Sequence, residues 1–211
     1  MCGKFTAMAS WRGVHDFSQP LTLDRDNTVI YRPMTALPVI VFDKEARQRR
    51  IVPMRWGFPD RKNWRVPKPI HARSETIETT KAFADSFHDG HHGIVVFKTF
   101  NEGKEISASK TEQWTIDPGD GVPRGFAFLW RGFDIVDSAM HLMACVMVTV
   151  PASTLIAPIT ERMPAILEDQ DWAKWLGEED VSVADLKAVL KTRENVRWTM
   201  APEVKAAKSS P

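Results

Sequence analysis

The sequence contains little cysteine, little tyrosine and almost no net charge. Among its 211 residues are two cysteines and one tyrosine, and the formal net charge at pH 7 is +1. The two cysteines lie too far apart in sequence to suggest a disulfide framework or a Cys-x-x-Cys metal site. A net charge this small does not by itself indicate a nucleic-acid partner. The remaining composition, 43% hydrophobic and 26% charged, is ordinary for a globular protein.

Long apolar runs are also absent. No stretch approaches the roughly 18 apolar residues of a membrane span, and residues 1–10 lack the basic segment and apolar run of a signal peptide. We therefore expect a cytoplasmic protein without membrane contact. The sequence has no phosphate-binding glycine loop and no dinucleotide fingerprint, so no small-molecule cofactor is expected.

Three histidines, His88, His91 and His92, lie close together in a polar connection. Imidazoles are common metal ligands, but no acidic or thiol cluster accompanies these at ligand spacing. A solvated loop is the expected structure, and no metal site is predicted.

The two cysteines differ in their surroundings. Cys145 lies in the apolar run 142–150 and is expected to be a buried small hydrophobe. Cys2 stands at the chain terminus and has no core to fill. Once the preceding methionine is removed, it carries an α-amine and a thiol on one residue, with ordinary pKa values near about 8 and 8.5.

Positive charge is concentrated between residues 44 and 73, where only Glu45 and Asp60 are acidic. The basic residues are Lys44, Arg47, Arg49, Arg50, Arg55, Arg61, Lys62, Arg65, Lys68 and Arg73, interleaved with Trp56, Phe58 and Trp64. Basic side chains neutralise phosphates and aromatic rings stack on unpaired bases, so the segment predicts a platform for single-stranded nucleic acid. A solvated basic face beside core aromatics is the alternative.

β-Branched and aromatic residues predict a chain dominated by strands. The predicted strands are 37–43, 49–58, 93–100, 112–117, 125–134, 141–150 and 196–202. Helices are predicted over 74–87, 169–177 and 182–191, with Asp169 and Ser182 as N-caps and Gly177 as a stop. The pattern predicts an α+β domain over residues 1–202, followed by a flexible tail, 203–211.

Five short motifs, in this order, resemble those of the SOS-response-associated peptidase (SRAP) family. They are MCGKF at 1–5, RWGF at 55–58, IHARSET at 70–76, FNE at 100–102 and APITERMPAIL at 157–167, the last followed by DWAKWL at 171–176. The family usually shows Met-Cys-Gly-Arg-Phe, Arg-Trp-Gly-Leu, Asn-Ala-Arg-x-Glu, Phe-Tyr-Glu-Trp and His-x-Arg-Met-Pro-x-Ile-Leu. The resemblance covers roughly residues 2–202.

The resemblance implies one domain with a curved, barrel-like, mainly antiparallel β-sheet flanked by short helices. It also implies a basic channel for single-stranded DNA with the processed Cys2 at its floor. The implied activity is a protective thiazolidine crosslink to the aldehyde of an abasic site, with a proposed self-processing peptidase activity. We expect a monomer that joins the nucleoid on DNA damage and whose partner is single-stranded DNA containing abasic sites.

Site residues carry over by position. Glu102 matches the motif glutamate, which would deliver and accept protons during Schiff-base formation and ring closure. Arg73 and Arg162 match arginines near the DNA backbone, although an ion pair with Glu75 or Glu161 is the alternative for them. The further DNA-binding candidates are Lys4, Arg55 and Trp56, of which Trp56 fits the core equally well.

Two departures from the family pattern affect the chemistry. His71 replaces the motif asparagine, and Thr160 replaces the motif histidine. Because His71 titrates near neutrality, we hypothesise that it takes over proton transfer, whereas the Thr160 hydroxyl cannot act as a base. Three functions stay open: a covalent abasic-site sensor, a DNA-binding module that has lost the chemistry, and a peptidase that depends on Cys2.

Overall fold

The computed structural model describes residues 2–8, 28–60, 62–120, 122, 124–135, 139–194 and 197–203. Most of them lie in strands and few in helices, which confirms the predicted α+β class. None of the helices in these residues is long and apolar enough to cross a membrane. Arg61 and all but the first residue of the predicted tail fall outside the described residues.

The elements are numbered along the chain. The strands are β1 (Lys4–Met8), β2 (Thr28–Tyr31), β3 (Ala36–Asp43), β4 (Gln48–Trp56), β5 (His71–Arg73), β6 (His92–Phe97), β7 (Thr99–Ser107), β8 (Lys110–Asp117), β9 (Arg124–Ile135), β10 (Met140–Pro151), β11 (Arg162–Pro164), β12 (Ile166–Leu167) and β13 (Thr199–Pro202). The helices are α1 (Ala84–His88), α2 (Asp169–Leu176) and α3 (Val183–Ala188).

Five strands close into a barrel in the order β4, β3, β6, β9 and β10, and β10 returns to β4. Every pair in this circuit is antiparallel except β10 with β4, which is parallel. Strands β5 and β11 also pair with β10, and β12 pairs with β9. Apolar side chains fill the interior, where the rings of Phe97 and Phe126 stack 3.7 Å apart. The predicted barrel-like, mainly antiparallel sheet is confirmed.

A second antiparallel sheet, β13-β8-β7-β1-β2, covers the barrel. The predicted strand 93–100 is therefore wrong as a single element, because the chain leaves the barrel at the exposed Lys98 and enters the second sheet as β7. Strand β1 lies between β7 and β2. Its Phe5 is buried against Trp56 and Phe126, with ring centroids 5.5 Å apart in both pairs. This contact holds the N-terminus against the barrel.

The predicted helix 74–87 is mostly wrong. The chain forms successive turns, with Thr76 N–H donating to Arg73 and Thr79 N–H donating to Thr76, and becomes helical only at α1. β-Branched residues at 76, 77, 79 and 80 disfavour a helix. The other two helices are confirmed in shorter form. Ser182 caps α3 by accepting a bond from Asp185 N–H, and Gly177 ends α2 at φ +76°. The predicted N-cap at Asp169 is wrong, because Asp169 is already helical and Glu168 occupies the cap position without a side-chain bond.

The histidine-rich connection is only partly a solvated loop. His88 is exposed, whereas His92 is buried in β6 and its ring stacks 4.3 Å from that of Trp175. The expectation of solvent exposure is therefore wrong for His92, because β6 is buried along its whole length and α2 covers His92 with Trp175.

The turn after β4 generates a stability prediction. Gly57 has φ +110°, and a Cβ atom there would lie 2.3 Å from Pro67 Cβ. We expect Gly57→Ala to lower the free energy of unfolding by about 2–3 kcal/mol, because both backbone strain and loop displacement are required. Gly119→Ala is the matched control, since Gly119 has φ +71° and no atom within 4 Å of a built Cβ. It should lose only about 1 kcal/mol. Equal losses in urea denaturation would contradict the steric argument.

Candidate functional site

The N-terminal segment meets two strands at one end of the barrel. Strand β1 pairs with β7 in a register that sets Lys4 opposite Asn101, so Cys2 and Gly3 run beside Glu102. His71 begins β5, which pairs in parallel with β10. Residues from three distant parts of the sequence therefore converge on Cys2.

The thiol of Cys2 is buried. Its side chain is only 1% exposed in the chain that carries Met1, and Sγ–H donates to the Lys4 carbonyl at 3.3 Å. Burial, followed by the nearby Glu102 carboxylate, raises the pKa of the thiol far above its ordinary value. Cys2 is thus a neutral thiol at pH 7 in this form of the chain. Cys145 is also buried, as predicted.

Glu102 is 0% exposed and lies beside the main chain of Cys2. Burial raises its pKa to about 7, while the positive charge of the amino terminus and, to a smaller extent, a hydrogen bond from the Cys2 backbone N–H act in the opposite direction. The nitrogen in that bond becomes the α-amine when Met1 is removed. A carboxyl group with a pKa near neutrality can both give and take a proton there.

His71 contacts the other side of Cys2. Its Nε2–H donates to the Cys2 carbonyl oxygen at 2.6 Å, and its ring lies edge-on to Trp56 with centroids 6.3 Å apart. Burial lowers the pKa of His71 to about 4, so the ring is neutral at pH 7. The two predicted site residues Glu102 and His71 thus flank Cys2.

Thr160 lies just before β11, half-buried, where its backbone N–H donates to the Ile156 carbonyl at 3.2 Å. A threonine hydroxyl has no accessible pKa. Among the predicted catalytic residues, the titratable side chains are therefore those of Cys2, Glu102 and His71.

The two arginines that match the family motifs differ in whether they already form an ion pair. Arg162 makes a bidentate ion pair with Glu75, at 2.6 and 2.8 Å, and donates to the Thr149 carbonyl at 2.6 Å. The ion-pair alternative is thus the arrangement found for Arg162, and the pair holds the pKa of Glu75 well below its usual range. Arg73 is exposed on β5, and its side chain makes no hydrogen bond or ion pair within the described part of the chain.

Two predicted DNA-binding residues are structural. Trp56 is 0% exposed, and its Nε1–H donates to the Ile70 carbonyl at 3.1 Å. Stacking of Trp56 on a base is therefore wrong, since its ring fills the core behind β1. Arg55 is buried as well and donates to the Trp64 carbonyl at 2.7 Å. It anchors the proline-rich loop that follows Gly57, through bonds to the Gly57 and Trp64 carbonyls. The prediction that Arg55 faces solvent is therefore wrong, because this loop covers it.

Lys4 makes an ion pair with Glu203. The pair borders a pocket of about 580 Å³ lined by Gly3, Lys4, Arg32, Gly103, Glu105, Thr111, Gln113 and Glu203. Sequence reasoning missed Glu203 because it assigned residue 203 to a flexible tail. Pairing of β13 with β8 brings this residue to the pocket, and no local pattern signals that contact.

Strand β4 divides the basic segment into two surfaces. At its start, Arg49 pairs with Glu178 and Arg50 pairs with Asp43, both at 2.6 Å. Arg55 lies six residues after Arg49, about 20 Å along the strand. Beyond it, four exposed cations form no ion pair among the described residues: Lys62, Arg65, Lys68 and Arg73. The single continuous platform predicted over 44–73 is therefore wrong.

The four unpaired cations, together with Trp64, are named the loop surface. The Arg65 guanidinium lies 4.8 Å from the centroid of the Trp64 ring. Because this surface leads to β5, it ends at Arg73, two residues from His71. Cations and an aromatic ring at this spacing suit a phosphodiester strand with unpaired bases.

A family sequence model and two named proteins match this chain over most of its length. The sequence model of the SOS response associated peptidase (SRAP) family matches residues 1–207. Abasic site processing protein YobE of Bacillus subtilis is 23% identical over 198 residues, which cover 90% of this chain and 88% of that protein. Abasic site processing protein YoqW of the same organism is 22% identical over 199 residues, covering 90% and 87%.

Solved structures share the fold. A protein from Bacteroides thetaiotaomicron superposes with a TM-score of 0.77 at 18% identity, covering 95% of this chain and 91% of that chain. A protein from Bordetella bronchiseptica gives 0.75 at 19% identity, covering 97% and 100%. With its motifs, its fold and a family match over nearly every residue, the chain belongs to the SOS response associated peptidase (SRAP) family.

Proposed function

We propose that this protein captures abasic sites in single-stranded DNA by forming a thiazolidine at Cys2. The observation that carries the proposal is the double contact on Cys2, whose nitrogen lies at Glu102 and whose carbonyl is held by His71. The relatives named abasic site processing proteins support the same activity. Removal of Met1 is the first requirement, because it frees the amine.

The first chemical step joins the amine to the sugar. The Cys2 nitrogen attacks C1′ of the ring-opened abasic aldehyde and forms a C–N bond, which gives a carbinolamine. Protonated Glu102 then gives its proton to the hydroxyl group, which leaves as water, and a protonated C=N bond forms. The resulting iminium cation lies beside the Glu102 carboxylate, which stabilises it.

The second step closes the ring. The thiol of Cys2 passes its proton to Glu102, and the sulfur attacks the iminium carbon to form a C–S bond. Glu102 ends protonated, as it began, and the overall reaction releases one water without any oxidant or reductant. Only a terminal cysteine offers an amine and a thiol on the same residue, so Cys145 cannot substitute.

The loop surface supplies the grip on the strand. Its cations are exposed and unpaired among the described residues, so they can neutralise phosphates without first breaking an ion pair. Trp64 is half-buried and offers a face for an unpaired base. Arg73 continues this surface to the reacting residue.

The covalent chemistry can be tested with an abasic single-stranded oligonucleotide and denaturing electrophoresis. Wild-type protein should form a band that survives heat and detergent, and Cys2→Ala should form none because both ring bonds involve this residue. Cys145→Ala is the matched control and should react normally.

The intact masses of wild type and Cys2→Ala report whether Met1 is lost. Loss in wild type only would indicate self-processing through Cys2. A stable band from Cys2→Ala would exclude the proposed link.

Glu102→Gln tests the proton transfer and its link to stability. We expect adduct formation to slow by at least about 100-fold, because general acid–base catalysis is lost. The pKa of Glu102 is raised from 4.5 to about 7 in the folded chain, so stability is lost as pH rises through this window. Glu102→Gln should therefore gain on the order of 3 kcal/mol relative to wild type at pH 8, and little at pH 4. Equal stability at both pH values would contradict the buried carboxyl.

Arg73→Ala tests the DNA path. We expect weaker binding of single-stranded DNA and a salt dependence reduced by about 0.7 in log–log slope, the value for one lost phosphate contact. Arg50→Ala is the matched control, since Arg50 is paired with Asp43 at the far end of β4. Fluorescence anisotropy at several salt concentrations measures both. Equal effects of the two substitutions would place the strand elsewhere.

A further inference from the structure

The hydrogen bond between His71 and the Cys2 carbonyl has a role beyond ordinary packing. We infer that His71 is a positioning residue that clamps Cys2 through Nε2–H and does not transfer the reaction's protons. The inference rests on the proposed function, and it replaces the hypothesis that His71 acts as the proton-transfer group.

The backbone at His71 is fixed by hydrogen bonds and by strand pairing. The Ile70 carbonyl accepts bonds from Trp56 Nε1–H and Met147 N–H, each at 3.1 Å. Strand β5 then pairs with β10, with His71 opposite Met147. The donor is therefore built on a rigid part of the barrel, and its 2.6 Å bond transmits that rigidity to Cys2.

Chemistry determines the tautomer. A carbonyl oxygen can only accept, so the proton of the neutral ring lies on Nε2. The buried Nδ1 atom has no hydrogen-bond partner among the described residues. Transfer of the Nε2 proton would break the clamp, and protonation of Nδ1 would create a buried imidazolium. A ring with these constraints is suited to hold Cys2, while Glu102 on the opposite side moves the protons.

The terminal residue needs such a clamp. After Met1 is removed, Cys2 is tethered only through its bond to Gly3, and chain ends usually fray. Gly3 adds no packing, because no atom lies within 4 Å of a Cβ built there. Fixing the Cys2 carbonyl orients the Cα atom from which both the amine and the thiol-bearing carbon extend. Such orientation raises the effective concentration of the two nucleophiles.

A neutral clamp also suits the iminium intermediate. An imidazolium this close would repel the cation that forms on the Cys2 nitrogen. Because burial lowers the pKa of His71 to about 4, the ring stays uncharged over the range in which the amine reacts. The same burial that disfavours proton transfer by His71 therefore protects the intermediate.

Glutamine separates clamping from proton transfer. The side-chain amide nitrogen of Gln lies about where Nε2 of His lies, and this amide does not titrate. We expect His71→Gln to form adduct within about threefold of the wild-type rate, with an unchanged pH profile. His71→Ala, which removes the donor, should be slower by about 100-fold. A His71→Gln rate as low as that of His71→Ala, or a pH inflection lost in His71→Gln, would overturn the inference.

Nitrogen-15 NMR of the histidine ring gives a readout that needs no DNA. The processed protein should show His71 as the Nε2–H tautomer with a pKa near 4, and an Nδ1–H tautomer or an ordinary pKa would overturn the clamp. If wild-type protein shows this tautomer but forms no adduct, the proposed crosslinking function fails while the clamp stands. The two proposals are thus separately falsifiable.

Discussion

The pairing of β1 with β7 is the contact on which the site depends. A chain end is usually the least ordered part of a domain, yet here it pairs on both sides, between β7 and β2 of a five-stranded sheet. Phe5 stabilises this placement by burial against Trp56 and Phe126, a contribution of about 2–3 kcal/mol for one aromatic side chain. The strand carries Cys2 to the barrel, and β7 carries Glu102 to Cys2.

Burial then sets the protonation state of every group in the site. The pKa values of Cys2 and Glu102 are raised and that of His71 is lowered, all chiefly by desolvation. Each shift favours the neutral form, so the site at rest carries little charge. Such a site is costly to ionise and therefore well suited to a reaction in which one proton moves between neighbouring groups. The proposed mechanism places that proton on Glu102 and leaves His71 to hold the residue in position.

The barrel also sorts the positive charge. Basic residues that are close together in sequence are separated in space by the length of β4. Several of them make structural contacts: Arg49 and Arg50 form ion pairs, and Arg55 anchors a loop. The loop surface keeps its cations available, and it is the part that reaches β5. A charge pattern that appears uniform along the chain is therefore divided between the two ends of β4, with the exposed Lys44 and Arg47 just before its start and the loop surface beyond its end.

Local patterns in the sequence were sufficient for the long strands β3, β4, β8, β9 and β10, for the caps at Ser182 and Gly177, for the burial of Cys145 and for the chemical identity of Cys2. These features depend on neighbours within a few residues, or on what a terminal amine and thiol can do. The prediction of a helix over 74–87 was wrong because the β-branched residues disfavour a helix more strongly than the acidic residues at its start favour one.

Tertiary structure alone decided that Trp56 is a core residue, that Arg162 is paired with Glu75 and that Glu203 reaches Lys4. It also decided that His71 faces the Cys2 carbonyl. Each is a contact between residues far apart in sequence, made by the closure of the barrel and the laying of a second sheet across it. Composition and motif spacing do not determine which side chains from distant strands come into contact.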